Sequence, residues 1–198
     1  IREAMGNPAL RTVLISATLV HMGMTTLQPV LSLQVAKLGQ EGKAALSAGL
    51  IYSIAGIATV IGAPLWARRG QALGFKRVLV ANLMAAGVFN IPLAFVKSIY
   101  LFGALRFAVG LSSAGIGLSM NALTSKSVNV EFRGRAFGIL QSFNQIGGMF
   151  GPMLGGIMGT VVGLESTFAL AAGVYMATSV LVARFLRSEE PVLARARA

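Results

Sequence analysis

Cysteine and aspartate are both absent from this 198-residue sequence, and histidine occurs only once. Without cysteine, the chain cannot form a disulfide scaffold, a thiolate metal site or a cysteine nucleophile. The six acidic residues are all glutamates outside the long apolar runs, so paired-carboxylate and aspartate-dependent triad chemistry has almost no residues to use. We therefore expect the protein not to be an enzyme and to hold no metal and no cofactor.

Charged residues of either sign are scarce, at 12% of the sequence against about 25% in soluble domains. Hydrophobic residues make up 55%, and the mean hydropathy is +0.74. A soluble domain needs a charged surface that this composition does not supply, so we expect the chain to lie in a lipid bilayer. The net charge of +11 alone would suggest nucleic acid, but the basic residues form short clusters between apolar runs. No nucleic-acid partner is expected.

Six long, charge-poor runs divide the sequence, and each is close to or above the roughly 20 residues that cross a bilayer as a helix. Helices are favoured because an open strand cannot satisfy its backbone in lipid, and the runs lack the alternation of barrel strands. The predicted fold is an all-α membrane protein, with a six-helix bundle over 1–186 and a cytoplasmic tail over 187–198. The predicted spans are about 12–36, 44–67, 78–96, 98–125, 136–164 and 166–186, with longer basic loops at 68–77 and 126–135.

The lysine and arginine residues between the spans are distributed unequally between the two sides of the predicted bundle. Only Lys37, Lys43 and Lys97 lie on one side, and Arg106 lies within a span, so the other 13 lysine and arginine residues share the side of the two termini. Because basic loops stay inside, we expect both termini in the cytoplasm and the protein in the plasma membrane of a bacterium. The first residue is Ile1 rather than Met, which is typical of a fragment or a processed piece.

A glycine stripe in the fifth predicted span is the most specific pattern in the chain. Small residues at a spacing of four allow a neighbouring helix to approach closely, and a proline favours a bend one turn earlier. Either plain close packing or a specialised packing and hinge role accounts for the pattern. The residues are Gly138, Gly147, Gly151, Pro152, Gly155 and Gly156.

At every glycine and the proline, this stripe resembles the antiporter signature of the drug:proton antiporters in the major facilitator superfamily. A second segment, which begins at Pro64, is similar to that family's cytoplasmic loop motif between the second and third helices of each half. It keeps Gly70, Gly74, Lys76 and Arg77 but has Gln71 where an acidic residue is usual. The gating ion pair of that loop therefore lacks its usual acidic member. Around Arg106, the sequence also resembles the family's fourth-helix motif.

The resemblance covers essentially the whole chain and implies one six-helix half of a twelve-helix transporter, made of two inverted three-helix repeats. The opening at Asn7 and Pro8, the weakened loop motif and the arginine-rich end resemble the C-terminal half, although the intact stripe fits the N-terminal half better. It implies export of drugs or small metabolites by alternating access, coupled to protons in the full-length protein. The implied partners are the bilayer, a small-molecule substrate and a second six-helix half, in the same polypeptide or in another chain.

Polar residues at mid-span are the candidates for a functional site. Arg106 either neutralises a substrate anion or an acidic partner, or it extends its head group to the outer lipid surface. His21 either relays protons or is a hydrogen-bonded packing residue. By the resemblance, in which the first and fourth helices line the cavity, the candidate substrate-cavity residues are Met24, Gln28, Arg106, Asn121, Gln141 and Gln145.

An alternative interpretation is a six-helix membrane assembly or interaction subunit that transports nothing. The missing acidic residues and the altered loop motif favour it. Whether the reading frame continues into a second six-helix segment would separate the two interpretations.

The charge distribution predicts the sidedness of each loop. Alkaline phosphatase fused after Lys97 should be active, because that loop lies outside, whereas fusions after Gly74 or Ser127 should be inactive. Phosphatase activity in intact bacteria, normalised to expression, measures this. An active fusion at Gly74 would reverse the predicted orientation.

Overall fold

Six long helices account for almost all of the residues that the structure describes, which are 8–38 and 44–186. The structure is a computed structural model, and the prediction of an all-α fold with six helices is confirmed for these residues. The predicted tail at 187–198 lies outside them. The helices are α1 (Pro8–Leu38), α2 (Ala44–Leu73), α3 (Phe75–Leu93), α4 (Ile99–Lys126), α5 (Arg133–Val161) and α6 (Leu164–Phe185), with a 3₁₀ turn at Val130–Phe132 before α5.

Four of these helices, α1, α2, α4 and α6, are long and apolar enough to cross a membrane by length and composition. The other two carry more polar residues within their length. In α3 these include Asn82 and Asn90, which are both buried inside the bundle. In α5 they include Gln141, Asn144 and Gln145. A helix that hides its polar face from lipid can be less apolar than an isolated span.

The helix boundaries differ from the predicted spans, most clearly between α2 and α3. The predicted loop over 68–77 is wrong, because α2 continues through Arg68 and Arg69 to Leu73 and only Gly74 separates it from α3. The predicted loop over 126–135 is likewise shortened, since α5 begins at Arg133. Charged side chains mark where a chain leaves hydrocarbon, but the helical hydrogen bonds continue into the polar region beyond it.

The helix contacts follow an internal two-fold pattern. The α1–α5 and α2–α4 pairs have the most extensive contacts, and the members of each pair run parallel. If α1, α2 and α3 exchange places with α4, α5 and α6 in that order, the α1–α5 pair becomes the α4–α2 pair. The α3–α4 contact likewise becomes the α6–α1 contact, which is of similar extent. Because three crossings separate equivalent helices, the two repeats run in opposite directions. This arrangement is the expected pair of inverted three-helix repeats.

Two buried apolar clusters lie towards opposite ends of the bundle. The cluster at the end where α1 begins includes Leu14, Leu79 and Leu123. The cluster at the other end includes Phe102 and Phe168, whose rings meet edge to face with centroids 6.4 Å apart. The middle of the bundle, between these clusters, holds most of the polar side chains that line the cavities described below.

Candidate functional site

Two cavities of about 260 Å³ each open on one side of the bundle. The cavity nearer the end of the bundle where α1 begins, here called the inner cavity, is lined by α1, α4 and α5. The cavity nearer the opposite end, here called the outer cavity, is lined by α1, α2 and α4, and one side chain of α6 lines each. Both linings include Met24, Ser113 and Tyr175, so the two cavities adjoin at these side chains. They therefore form one polar-lined cleft along α1 and α4.

Most of the residues selected from the sequence lie along this cleft. Gln28 and Arg106 line the outer cavity, Asn121 and Gln141 line the inner cavity, and Met24 lines both. Gln145 is exposed and is not among the lining residues of either cavity. It stands one turn after Gln141 on α5, beyond the edge of the inner cavity. The structure thus brings the two amides of α4 and α5 together but leaves Gln145 outside.

His21 also lines the inner cavity, where it is half-buried. Its imidazole lies against α5, because a Cβ built on Gly148 would meet the imidazole Nε2 at 3.2 Å. Of the side chains that line the two cavities among the described residues, His21 is the only imidazole, a side-chain type that can take up and release a proton. Its position gives it access to the cleft from the first helix.

Arg106 lies about two turns below the start of α4, and it faces the outer cavity instead of the lipid surface. The residue is half-buried, and its Nε is enclosed with no hydrogen-bond partner within the described residues. Tyr52 and Tyr175 line the same cavity. An arginine in the membrane interior costs about 2.5–3.5 kcal/mol on insertion scales, so this orientation indicates a use for the charge.

Several lining residues were not among the candidates drawn from the sequence. Tyr52 and Tyr175 are aromatic residues in apolar spans, and such residues usually pack in a core, so no sequence pattern pointed to them. Asn144 lines the inner cavity and shares a helical face with Gln141 at a spacing of three. That spacing was the one available signal for its position.

The seam between α1 and α5 positions one wall of the cleft. A Cβ on Gly147 would overlap the backbone oxygen of Thr18, and one on Gly155 would overlap that of Thr26. At Gly151 a Cβ would overlap the Thr25 hydroxyl and lie 2.6 Å from the Met22 oxygen. The helices are therefore in backbone contact over about two turns. They are also joined by the Thr18 hydroxyl, which donates to the Phe143 oxygen at 3.1 Å.

The glycine stripe predicted from the sequence divides into two parts in the structure. Gly147, Gly151 and Gly155 form the seam, whereas a Cβ on Gly138 or Gly156 would meet nothing within 4 Å. Gly138 precedes Gly147 by nine residues, or about two and a half turns, so it faces away from α1. Pro152 lies inside a helix that continues to Val161. Three of the six motif residues thus pack against α1, whereas the sequence pattern indicated close helix packing along the whole motif.

A second seam, between α2 and α4, positions the opposite wall. A Cβ on Gly110 would lie 2.5 Å from the Ala55 oxygen, and the Thr59 hydroxyl donates to the Gly110 oxygen at 3.2 Å. Nearer the end of α2, the indole Nε1 of Trp66 donates to the Leu111 oxygen at 2.8 Å. Gly110 is one turn after Arg106, so this seam fixes the position of the arginine.

The predicted loop motif forms a tight joint between α2 and α3. Gly74 has a φ of 90°, a conformation that favours glycine, and a Cβ on Gly70 would overlap the Phe75 ring. The ammonium group of Lys76 donates to the backbone oxygen of Leu186 beyond α6. Gln71 is exposed.

Arg77, the last residue of the predicted loop motif, is also exposed. Its neighbour Lys76 is the motif residue that connects the α2–α3 turn to the end of α6.

Among the described residues, no group of three or more histidine, aspartate or glutamate side chains is arranged to hold a metal.

Comparison with known proteins places this architecture in a family. A family model described as the Major Facilitator Superfamily matches residues 13–198. The chain belongs to the major facilitator superfamily. It is 29% identical to the multidrug resistance protein MdtG of Citrobacter koseri over 98% of this chain and 49% of that protein. It is also 29% identical to the uncharacterized MFS-type transporter YuxJ of Bacillus subtilis, over 86% of this chain and 44% of that protein.

A solved structure agrees with this family membership at the level of the fold. The crystal structure of the human organic anion transporter MFSD10 (TETRAN) superposes with a TM-score of 0.80 at 20% identity. The match covers 94% of this chain and 49% of that one. The chain thus spans about half the length of the curated relatives and of the solved structure that it matches.

The division of the glycine stripe predicts unequal effects of the same substitution on one helix. Gly151→Ala should lower the free energy of unfolding by about 1–3 kcal/mol, because the added methyl group overlaps α1. Gly156→Ala is the matched control and should change it little, since its methyl group meets open space. Thermal unfolding in detergent, followed by circular dichroism, measures both. Equal stability of the two variants would contradict the seam.

Proposed function

We propose that this chain is one six-helix half of a secondary transporter that exports drugs or small metabolites by alternating access. The observation that carries the proposal is the cleft along α1 and α4, which combines two adjoining cavities of about 260 Å³. Its lining mixes methionine, tyrosine and amide side chains with one arginine. Such a mixture of apolar walls and a few polar groups is typical of small-molecule sites.

The exposure of the cleft supports a second half opposite it. Gln28, Asn121 and Gln141 are exposed on this chain, although each lies more than one turn inside one of three long helices. Polar side chains in a membrane face a bundle interior or a water-filled cavity and avoid lipid. A second six-helix half, in the same polypeptide or in another chain, would cover these amides and close the cleft.

The two seams support movement of the half as a unit. Backbone contact along α1–α5 and α2–α4 leaves little space for these helices to separate, so the cleft walls keep their positions within the half. In alternating access, two such bundles rock against each other around a site near the membrane midplane. The half would then open and close the cleft through its movement relative to the partner.

The names of the relatives agree with a small organic substrate. MdtG is named a multidrug resistance protein, and MFSD10 is named an organic anion transporter. In this chain, Met24 lies at the junction of the two cavities and is half-exposed. Methionine adapts its shape to different ligands, which suits a site that accepts several compounds.

Proton coupling in the complete protein is the finer part of the proposal. Of the six glutamates, none lies in the middle of a predicted span, and within the described parts of the chain no carboxylate lines the cleft. His21 is the residue of this half that can take up and release a proton at the inner cavity. Further proton-carrying groups would come from the second half.

Reconstitution tests the proposal against the alternative of a non-transporting assembly subunit. Proteoliposomes that contain this chain with its second half should transport at least one member of a dye panel when a pH gradient is imposed across the membrane. The panel contains a cationic, a neutral and an anionic fluorescent dye. The 198 residues alone should move none. Dye transport by this chain alone would contradict the half-transporter assignment, and no transport by both halves together would favour the assembly subunit.

His21 has its own expected outcome in the same vesicles. His21→Asn should abolish the acceleration of transport by a pH gradient, because asparagine cannot carry a proton at this position. Exchange of labelled for unlabelled substrate without a gradient should persist. Fluorescence traces at matched protein content measure both rates. Unchanged acceleration in the variant would assign His21 to packing only.

A further inference from the structure

We propose that the outer cavity is an anion-binding site, in which Arg106 binds the carboxylate of an amphipathic organic anion. This inference rests on the proposed transport function and narrows its substrate class. It is drawn from the charge, the enclosure and the apolar walls of the outer cavity, each of which restricts what can bind there.

The charge of the cavity has one sign. Among the residues that the structure describes, Arg106 is the one permanently charged side chain in the lining of either cavity, and neither lining contains a carboxylate. The two glutamates within the described residues lie elsewhere, Glu131 in the 3₁₀ turn before α5 and Glu165 in the first turn of α6. The outer cavity is therefore positive and has no counter-charge of its own.

The arginine is also unsatisfied as a hydrogen-bond donor. Its Nε is enclosed by protein and has no acceptor among the described residues. Unpaired donors on a buried guanidinium are uncommon, because a charged group away from water needs partners. The Nη groups of Arg106 are not enclosed in this way, and a carboxylate in the cavity would accept two parallel hydrogen bonds from them, a pairing that arginine favours.

The backbone around Arg106 is held by contacts between neighbouring helices before any ligand binds. Gly110, one turn away, is in contact with the backbone of α2 at Ala55. On α2, the hydroxyl of Tyr52 donates to the backbone oxygen of Gln28 at 3.2 Å and so ties α2 to α1 at the cavity. The walls on both sides of the guanidinium are thus joined. Walls that are already joined lose less entropy when an anion binds than mobile walls do.

The remaining lining residues of the outer cavity are largely apolar and favour an anion that also has an apolar part. Leu27, Leu31 and Val109 line the outer cavity beside Arg106. The cavity adjoins the inner one at Met24 and Tyr175, so an extended ring system has room beyond the charged group. A small inorganic anion would leave these apolar walls without contacts. An aromatic carboxylate satisfies both the guanidinium and the walls.

The carboxylate can come from two sources, and a binding experiment separates them. The complete transporter, with both halves, is purified in detergent, and binding of tritiated 2-naphthoate is measured at equilibrium. The uncharged analogue 2-naphthamide is the ligand control. We expect naphthoate to bind and naphthamide to bind much more weakly. Arg106→Gln should reduce naphthoate affinity by on the order of 10- to 100-fold, and Arg106→Lys should retain part of it.

Arg184→Gln is the matched protein control, because it removes the same charge from an exposed position at the end of α6. Its naphthoate affinity should equal that of the unaltered protein. Every variant is first checked for a single symmetric peak in gel filtration. Where Arg106→Gln fails this check, Arg106→Lys and the naphthamide comparison still test the site. Because binding is measured without a gradient, its result is independent of whether the protein transports anything.

The second source is a carboxylate of the other half. In that case naphthoate would not bind, but Arg106→Gln would lower the melting temperature of the complete protein and leave that of this chain alone unchanged. This result would overturn the proposal, because the carboxylate that Arg106 binds would belong to the protein and not to an organic anion. Equal affinity for naphthoate and naphthamide would overturn the proposal. So would naphthoate binding unaltered by Arg106→Gln, or no binding together with an unaltered melting temperature.

Discussion

Direct backbone contact between parallel helices is the constraint on which the rest of this structure depends. In lipid, two helices gain little from burying apolar side chains against each other, because the acyl chains are equally apolar. Close approach must supply the attraction instead. Gly147, Gly151 and Gly155 permit it between α1 and α5, and Gly110 permits it between α2 and α4. The two seams hold the cleft walls at a fixed separation.

Threonine side chains complement the glycines at both seams. Thr18 on α1 and Thr59 on α2 each donate a hydrogen bond to a backbone oxygen of the facing helix, at 3.1 Å and 3.2 Å. Such bonds are possible only where the backbones are already close. Glycine on one helix and threonine on the other therefore act together. The same pairing recurs in the two pairs that the internal repeat relates.

Polar groups within the bundle have two different surroundings. The amides of Asn82 and Asn90 are buried in α3 and donate within their own helix, to backbone oxygens four residues earlier at 2.9 Å and 2.7 Å. In contrast, Arg106 and the amides of Gln28 and Asn121 face the cleft. The first group is consistent with packing, and the second with a ligand or a partner. The sequence presents both groups as polar residues in apolar spans, and only their direction separates them.

The sequence by itself determined the class of fold, the number of helices and the family. Composition and run length suffice for these, because the bilayer requires about 20 apolar residues per crossing and the hydrogen bonds of a helix are local. The tertiary structure decided which glycines make contact, that the loop at 68–77 is helical, and that Gln145 lies outside the cleft. It also brought Tyr52 and Tyr175 to Arg106. These features depend on how each helix is rotated about its axis, and that rotation is set by neighbours distant in the chain.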